Sequence, residues 1–315
     1  MTFDRGASLT TATTLGFSDA ADLGPTDGNG FHTRWPDDLA TLSELGLTAL
    51  RIPLDWARLQ PKAGEIDGNW AEWFEHVLTA VDSIGLQAWV TLHESGIPRW
   101  FDNEGGMDDA DTFTKWWPRW VERAADRFGD RVHGWIPFAS MPAIMPTRPW
   151  PMQTWIDTWG ILGGAGAPVV ASLDARPASL GTFQYVERYL GLTDRLGVDL
   201  AGLVDDLRDA ATADGGSTDQ FAERGAEAIG RAVREVAERA GSTPLTITAV
   251  PTGVASDAAA LVEVAVAALD EALADGLPID VAFIEPAIGL PDGDAGLLDP
   301  DRAPTAVTAA YRLRT

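Results

Sequence analysis

The sequence predicts an α/β fold, a single closed barrel of eight β/α units, and three observations carry that prediction. Apolar runs of strand length alternate with amphipathic helical segments along the chain, the order that builds a parallel sheet. The strand-like runs number eight, which is the count for closure. A chain of 315 residues with 45% hydrophobic content suits one barrel-sized domain spanning 1–315.

The elements follow in order. GASLTTA (6–12) reads as the first strand, LTALRIPL (47–54) as the second, LQAWVTLH (86–93) as the third and VHGWIPFA (132–139) as the fourth. PVVASLD (168–174), VDLAGLV (198–204), PLTITAV (244–250) and PIDVAFI (278–284) supply the rest. Between them, DDLATLSELG (37–46), WAEWFEHVLTAVDSIG (70–85) and DAAALVEVAVAALDEALADG (257–276) place apolar residues three and four apart, as helices do. Gly46, Gly85 and Gly276 stand where a helix end wants a left-handed residue before the next strand. In 205–243, DAATADGGSTDQ reads as a loop and QFAERGAEAIGRAVREVAERAG as a helix.

Composition limits the partners. With 47 acidic against 23 basic residues the formal charge is −24, which repels nucleic acid and anionic membrane surfaces and admits a neutral or cationic ligand. There is no cysteine, hence no disulfide, thiolate nucleophile or sulfur-ligated zinc, and carboxylates without ordered spacing predict no metal and no cofactor. The start, MTFDRGASLTTATTLG, lacks the pattern of a secretory leader, and no run is long and uncharged enough to span a bilayer, so a cytoplasmic protein is expected.

A parallel barrel displays its functional groups at the C-terminal ends of the strands. Those ends hold Arg51 to Asp55, His93 with Glu94, Ala139 to Pro142, Asp174, Asp205 with Asp206, Pro251 with Thr252, and Glu285. Trp150, Trp155 and Trp159 follow the fourth strand, where an aromatic face can stack on a flat ligand or pack in the core, whereas Trp116, Trp117 and Trp120 read as core.

Several stretches together resemble a known family. ELGLTALRIPLDWARLQP (44–61), VTLHESGIPRWFDNEGG (90–106), RFGDRVHGWIPF (127–138), and ITAVPTGVASD (247–257) with GLLDPDR (296–302) are similar in order and spacing to glycoside hydrolase family 1, the β-glucosidase-like retaining enzymes. The resemblance implies a (β/α)8 TIM barrel, here with shortened loops, and a pair of catalytic glutamates roughly 5 Å apart. The positions that match those glutamates carry none. The acid/base falls on Ser140 in one register and Met141 in the other, and the nucleophile on Pro251 or Ala249. The glycone positions also depart, with Glu94 and Ser95 after the third strand and Glu285 in place of a tryptophan after the eighth.

The expected function is therefore a family 1-like barrel without the usual retaining activity, binding a carbohydrate or related small molecule at its C-terminal face. Arg51, Asp55, His93, Ser140, Trp155, Asp174, Asp205 and Asp206 are the expected ligand-binding residues. A second reading relocates catalysis to Glu94 and Glu285, one raised in pKa by burial and the other ionised near Arg51, as an inverting glycosidase or a lyase. Against it stands a purely structural pairing of Glu285 with Arg51. A third reading is a scaffold or partner-binding protein. Fold alone does not choose among them.

Overall fold

The computed structural model describes residues 3–16, 28–139, 149–176, 189–213, 218–253, 256–290 and 293–313. Its strands are β1 (Asp4–Ser8), β2 (Ala49–Pro53), β3 (Gln87–His93), β4 (Gly134–Phe138), β5 (Val170–Asp174), β6 (Arg195–Asp199), β7 (Leu245–Pro251) and β8 (Ile279–Glu285). All pair in parallel in the order β4-β3-β2-β1-β8-β7-β6-β5. A single parallel bridge, Trp135 to Val169, brings β4 against β5 and makes the sheet a nearly closed barrel.

Helices lie between the strands. They are α1 (Thr11–Thr14), α2 (Phe31–Glu44), α3 (Trp56–Leu59), α4 (Gly68–Ser83), α5 (Arg99–Asn103), α6 (Ala110–Phe128), α7 (Pro149–Gly163), α8 (Ala201–Ala213), α9 (Thr218–Ala240), α10 (Ala258–Ala274) and α11 (Ala306–Ala310). Local chemistry sets their ends. The carboxylates of Asp67 and Asp109 accept from the N–H groups of Trp70 and Thr112 and start α4 and α6. Gly46, Gly85 and Gly276 take φ of 89°, 78° and 89° just past α2, α4 and α10, a conformation in which a side chain is strained.

The core has two parts, as strand alternation requires. Ala49, Trp89, Ile136, Val170, Val281 and Phe283 fill the lower barrel interior, while a larger shell, including Leu50, Val90, Trp117, Trp120 and Val262, packs between sheet and helices. Gly134 is required because a Cβ there would collide with the Trp89 ring. Above this layer the interior turns polar, with Ser8, Arg51, Thr91, Ser172 and Thr248 all buried.

Two expected elements are corrected. The first strand ends at Ser8, and TTA belongs to the turn of α1, where the Thr10 hydroxyl accepts from Thr13 N–H. The sixth strand is Arg195–Asp199 rather than 198–204. The Asp199 carboxylate accepts from Ala201 N–H at 2.9 Å, which turns the chain into α8. The apolar run AGLV thus opens a helix, with Leu203 and Val204 buried, and Asp205 and Asp206 lie on that helix rather than in a loop. DAATA, read as loop, continues α8 to Ala213.

Candidate functional site

A cleft of about 500 Å³ opens at the C-terminal ends of the strands. Glu94 after β3, Glu285 at the end of β8, Asp205 on α8 and Asp294 give it four carboxylates. Thr10, Thr13 and Ser95 add hydroxyl-bearing residues, and Ala12, Pro251, Pro286 and Leu290 its apolar surface. The described lining holds no basic and no aromatic side chain.

Arg51 organises the floor. It lies on the inner face of β2, 1% exposed, and its Nη2 donates to Glu94 Oε1 at 3.0 Å and to Glu285 Oε2 at 2.5 Å. Nη1 donates to the Thr248 carbonyl on β7 at 2.6 Å, so one guanidinium ties β2, β3, β7 and β8. Burial works against its charge, but the carboxylates of Glu285 and Glu94 outweigh that and raise its pKa.

The two glutamates are held differently. Glu94 is also engaged at Oε2, which accepts from Thr11 N–H at 2.6 Å. Burial nevertheless pushes the Glu94 pKa up, opposed by Arg51 and assisted by Glu285. Glu285 keeps a quarter of its side chain exposed to the cleft, and its carbonyl accepts from Thr252 N–H at 3.0 Å.

Asp199 is the residue that sequence reasoning missed. It ends β6, half-buried, and burial pushes its pKa up to about 7; the bond from Ala201 N–H opposes the rise and the charge of Glu285 adds to it. The signal that could have found it was an Asp two residues before a run, AGLVDDL, whose Leu203, Val204 and Leu207 fit helical spacing.

The other expected site residues disperse. Asp55 is 2% exposed, caps α3 through Arg58 N–H and pairs with the Arg58 guanidinium, so it is part of a buried structural pair and not of the cleft. Asp174 is at the end of β5, held by Arg176 at 2.5 Å. His93 ends β3 against Trp117 and Phe138, and burial lowers its pKa to about 4. Asp206 is exposed on α8, whereas Asp205 reaches the cleft. Trp155 is corrected to a core residue. It is fully buried, its indole donates to the Leu192 carbonyl at 2.9 Å and its ring meets Tyr189 edge-on, so it offers no face to a ligand. Ser140, Met141 and the side chain of Trp150 lie outside the described residues. Among the described residues no three His, Asp or Glu side chains converge in a way that could hold a metal, and no helix is long and apolar enough to cross a membrane.

Comparison with known proteins agrees with this architecture. Residues 22–147 match the model of glycosyl hydrolase family 1. Over 109 residues, 34% of this chain, the sequence is 28% identical to the human (Homo sapiens) cytosolic beta-glucosidase, and over 143 residues, 43% of this chain, 30% identical to a cyanidin 3-O-glucoside 5-O-glucosyltransferase (acyl-glucose) of Dianthus caryophyllus. The matched part spans only about a quarter of those relatives, 23% and 28% of their lengths. Solved structures extend the likeness in fold to nearly the whole chain. The family 1 b-glucosidase from Thermotoga maritima aligns with a TM-score of 0.70 and 12% identity over 98% of this chain and 96% of that one. The beta-glycosidase BGL167 aligns with 0.71 and 16% over 98% and 95%. Residues 22–147 are thus similar in sequence to glycosyl hydrolase family 1, and nearly the whole chain shares the barrel fold of solved beta-glucosidases.

Proposed function

We propose that this chain is a family 1-type barrel that binds a carbohydrate or a related polyhydroxylated small molecule in its cleft, without the family's retaining glycosidase reaction. The observation that carries the reading is the sharing of one Arg51 nitrogen by Glu94 and Glu285 on the cleft floor. A retaining pair needs the glycosidic bond between its carboxyl groups, one of them free to attack. Here a guanidinium stands between them, and both Glu94 oxygens are already occupied, by Arg51 and by Thr11 N–H. The positions that resemble the family's glutamates, Ser140 or Met141 and Pro251 or Ala249, bear no carboxylate. The cleft volume is that of a small-molecule site. A cytoplasmic location is part of the same proposal, and its support is the cytosolic relative.

One observation favours a second reading, a glycosidase or lyase with relocated carboxylates. Both glutamates touch Arg51, but burial raises the Glu94 pKa whereas Glu285 keeps a quarter of its side chain exposed, a split in environment of the kind that distinguishes an acid from a base.

The test is hydrolysis of aryl α- and β-glycosides by the purified protein, with Glu94→Gln and Glu285→Gln alongside, and calorimetric titration of the same proteins with monosaccharides. The expected result is saturable sugar binding without turnover. Turnover that falls by orders of magnitude in either variant overturns the proposal in favour of relocated catalysis. Folded protein that neither turns over nor binds any sugar leaves the scaffold reading.

A further inference from the structure

We infer that a crevice on the outer wall of the barrel, apart from the cleft, binds a small carboxylate with an apolar body, and that Arg123 receives the carboxylate. The crevice shares no lining residue with the cleft, so its occupation is independent of what the cleft does.

Two segments make the crevice. After α3 the chain forms a tight lobe, in which Asp67 N–H donates to the Leu59 carbonyl at 2.9 Å and Glu65 N–H to the Lys62 carbonyl at 3.1 Å, with Gly64 at a φ of 81°. The lobe faces the second half of α6, where Trp120, Arg123 and Arg127 recur three and four residues apart and so share one side of the helix. Between them lies a space of about 270 Å³. Leu59, Trp120 and Phe128, all at most 2% exposed, give it apolar walls, and Ile66, 36% exposed, gives it an apolar edge.

Arg123 is the polar group of this apolar lining, and among the described residues its half-buried guanidinium makes no hydrogen bond and no ion pair. Nη1 is enclosed without an acceptor, and Nε and Nη2, which are not enclosed, have none either. The guanidinium reaches across to the lobe, since a Cβ built on Gly64 would lie 3.9 Å from Nη2. The neighbouring charges are placed otherwise. Arg127 is held by Glu75 at 2.8 Å, and Asp126 is exposed, with no ion pair joining it to Arg123.

This pairing of apolar walls with one unpartnered donor group sets the ligand's chemistry. A guanidinium has five donors and no acceptor, and leaving it unpaired among apolar side chains is unfavourable. A carboxylate can take the Nε–Nη2 edge in two parallel charge-assisted bonds, while Leu59, Trp120 and Phe128 withdraw an apolar body from water. An amide offers the same shape without the charge, and an ammonium is repelled. The net charge of −24 opposes an anion at long range. Salt screens that field over about 10 Å, whereas a contact pair set in an apolar wall is screened much less.

The experiment titrates the whole chain with phenylacetate, phenylacetamide and benzylamine, read by calorimetry and by NMR of the backbone and indole N–H groups. Arg123→Met and Ile66→Asp accompany the parent protein, since neither side chain is fully buried. The expected result is saturable binding of phenylacetate, with the amide and the amine at least tenfold weaker. Resonance shifts should gather at Trp120 and residues 59–67, and both variants should lose at least tenfold in affinity. The thermal midpoint of Arg123→Met is expected to match or exceed the parent's, because no partner is lost; a fall reveals a structural contact and overturns the unpaired guanidinium on which the inference stands. Equal affinity for the acid and the amide, no binding of phenylacetate, or binding untouched by Arg123→Met each overturns it. Self-association of the parent that Ile66→Asp abolishes makes the crevice a contact between copies of this chain and overturns the small-molecule assignment.

Discussion

Asp199 stands opposite Asp174 in the β5–β6 register, and among the described residues only Asp174 of the two has an arginine hydrogen-bonded to it. Asp199 accepts from the backbone N–H of Ala201, and burial pushes its pKa up from 3.8 to about 7. Within that window the folded chain holds more protons than the unfolded one, so stability falls as pH rises through it and the loss is complete above about 7. Asp199→Asn keeps an acceptor for Ala201 and removes the charge. Urea denaturation at pH 8 is expected to show the variant more stable by on the order of 2 kcal/mol, discounted for partial exposure, and at pH 4 to show little difference. A variant less stable at pH 8 refutes the burial account.

Arg51→Met is expected to destabilise the barrel by about 3–5 kcal/mol, since it leaves Glu94 and Glu285 without their cation and the Thr248 carbonyl without a donor. Adding Glu94→Gln and Glu285→Gln to that variant is expected to restore part of the loss. Denaturant midpoints of the single and triple variants measure the coupling, and additive losses refute it.

His93 is expected to stay neutral from pH 5 to 8, its pKa being lowered to about 4 by burial against Trp117 and Phe138. The unfolded value near 6.5 is higher, so this histidine contributes stability above that value that is lost as pH falls towards 4. Proton NMR of the imidazole Cε1–H resolves it: a midpoint near 6.5 means that the ring is hydrated.

Gly134→Ala tests the packing beneath the cleft. A methyl group there meets the Trp89 ring, and the expected cost is about 1–3 kcal/mol. Trp89→Leu in the same chain is expected to relieve part of it, read from thermal midpoints of the pair and both single variants. A neutral Gly134→Ala contradicts the close approach.

The strands were legible because a strand buried on both faces has to be written as a short apolar run, and β2, β3 and β8 show it in ALRIP, QAWVTLH and IDVAFIE. The helix ends were legible where a left-handed glycine was needed. β6 was misread because AGLV after Asp199 is as apolar as a strand, and only the bond from Ala201 N–H decides that it is a helix. That one shift hid Asp199 and moved attention to Asp205 and Asp206. Glu94 and Glu285 were visible as acids at strand ends, but their meeting on one nitrogen depends on how far Arg51 reaches across the barrel, which no spacing records. Trp155 was misplaced because its partners, Leu192 and Tyr189, are distant in sequence.

Seven ladders bind the ring, and at the β4–β5 seam the described residues offer only the bridge at Trp135, with its N–H on the Pro168 carbonyl, and the Ser172 hydroxyl on the Ala139 carbonyl at 2.7 Å. Mechanically this is a split washer: strain applied anywhere around the circumference gathers at the cut. The bridge pins the lower rim, while at the upper rim, level with the cleft floor, the gap is spanned by one serine that also grips the Thr248 hydroxyl at 2.7 Å. Among the described residues, a single hydroxyl is therefore the hydrogen-bonded tie across that side of the mouth.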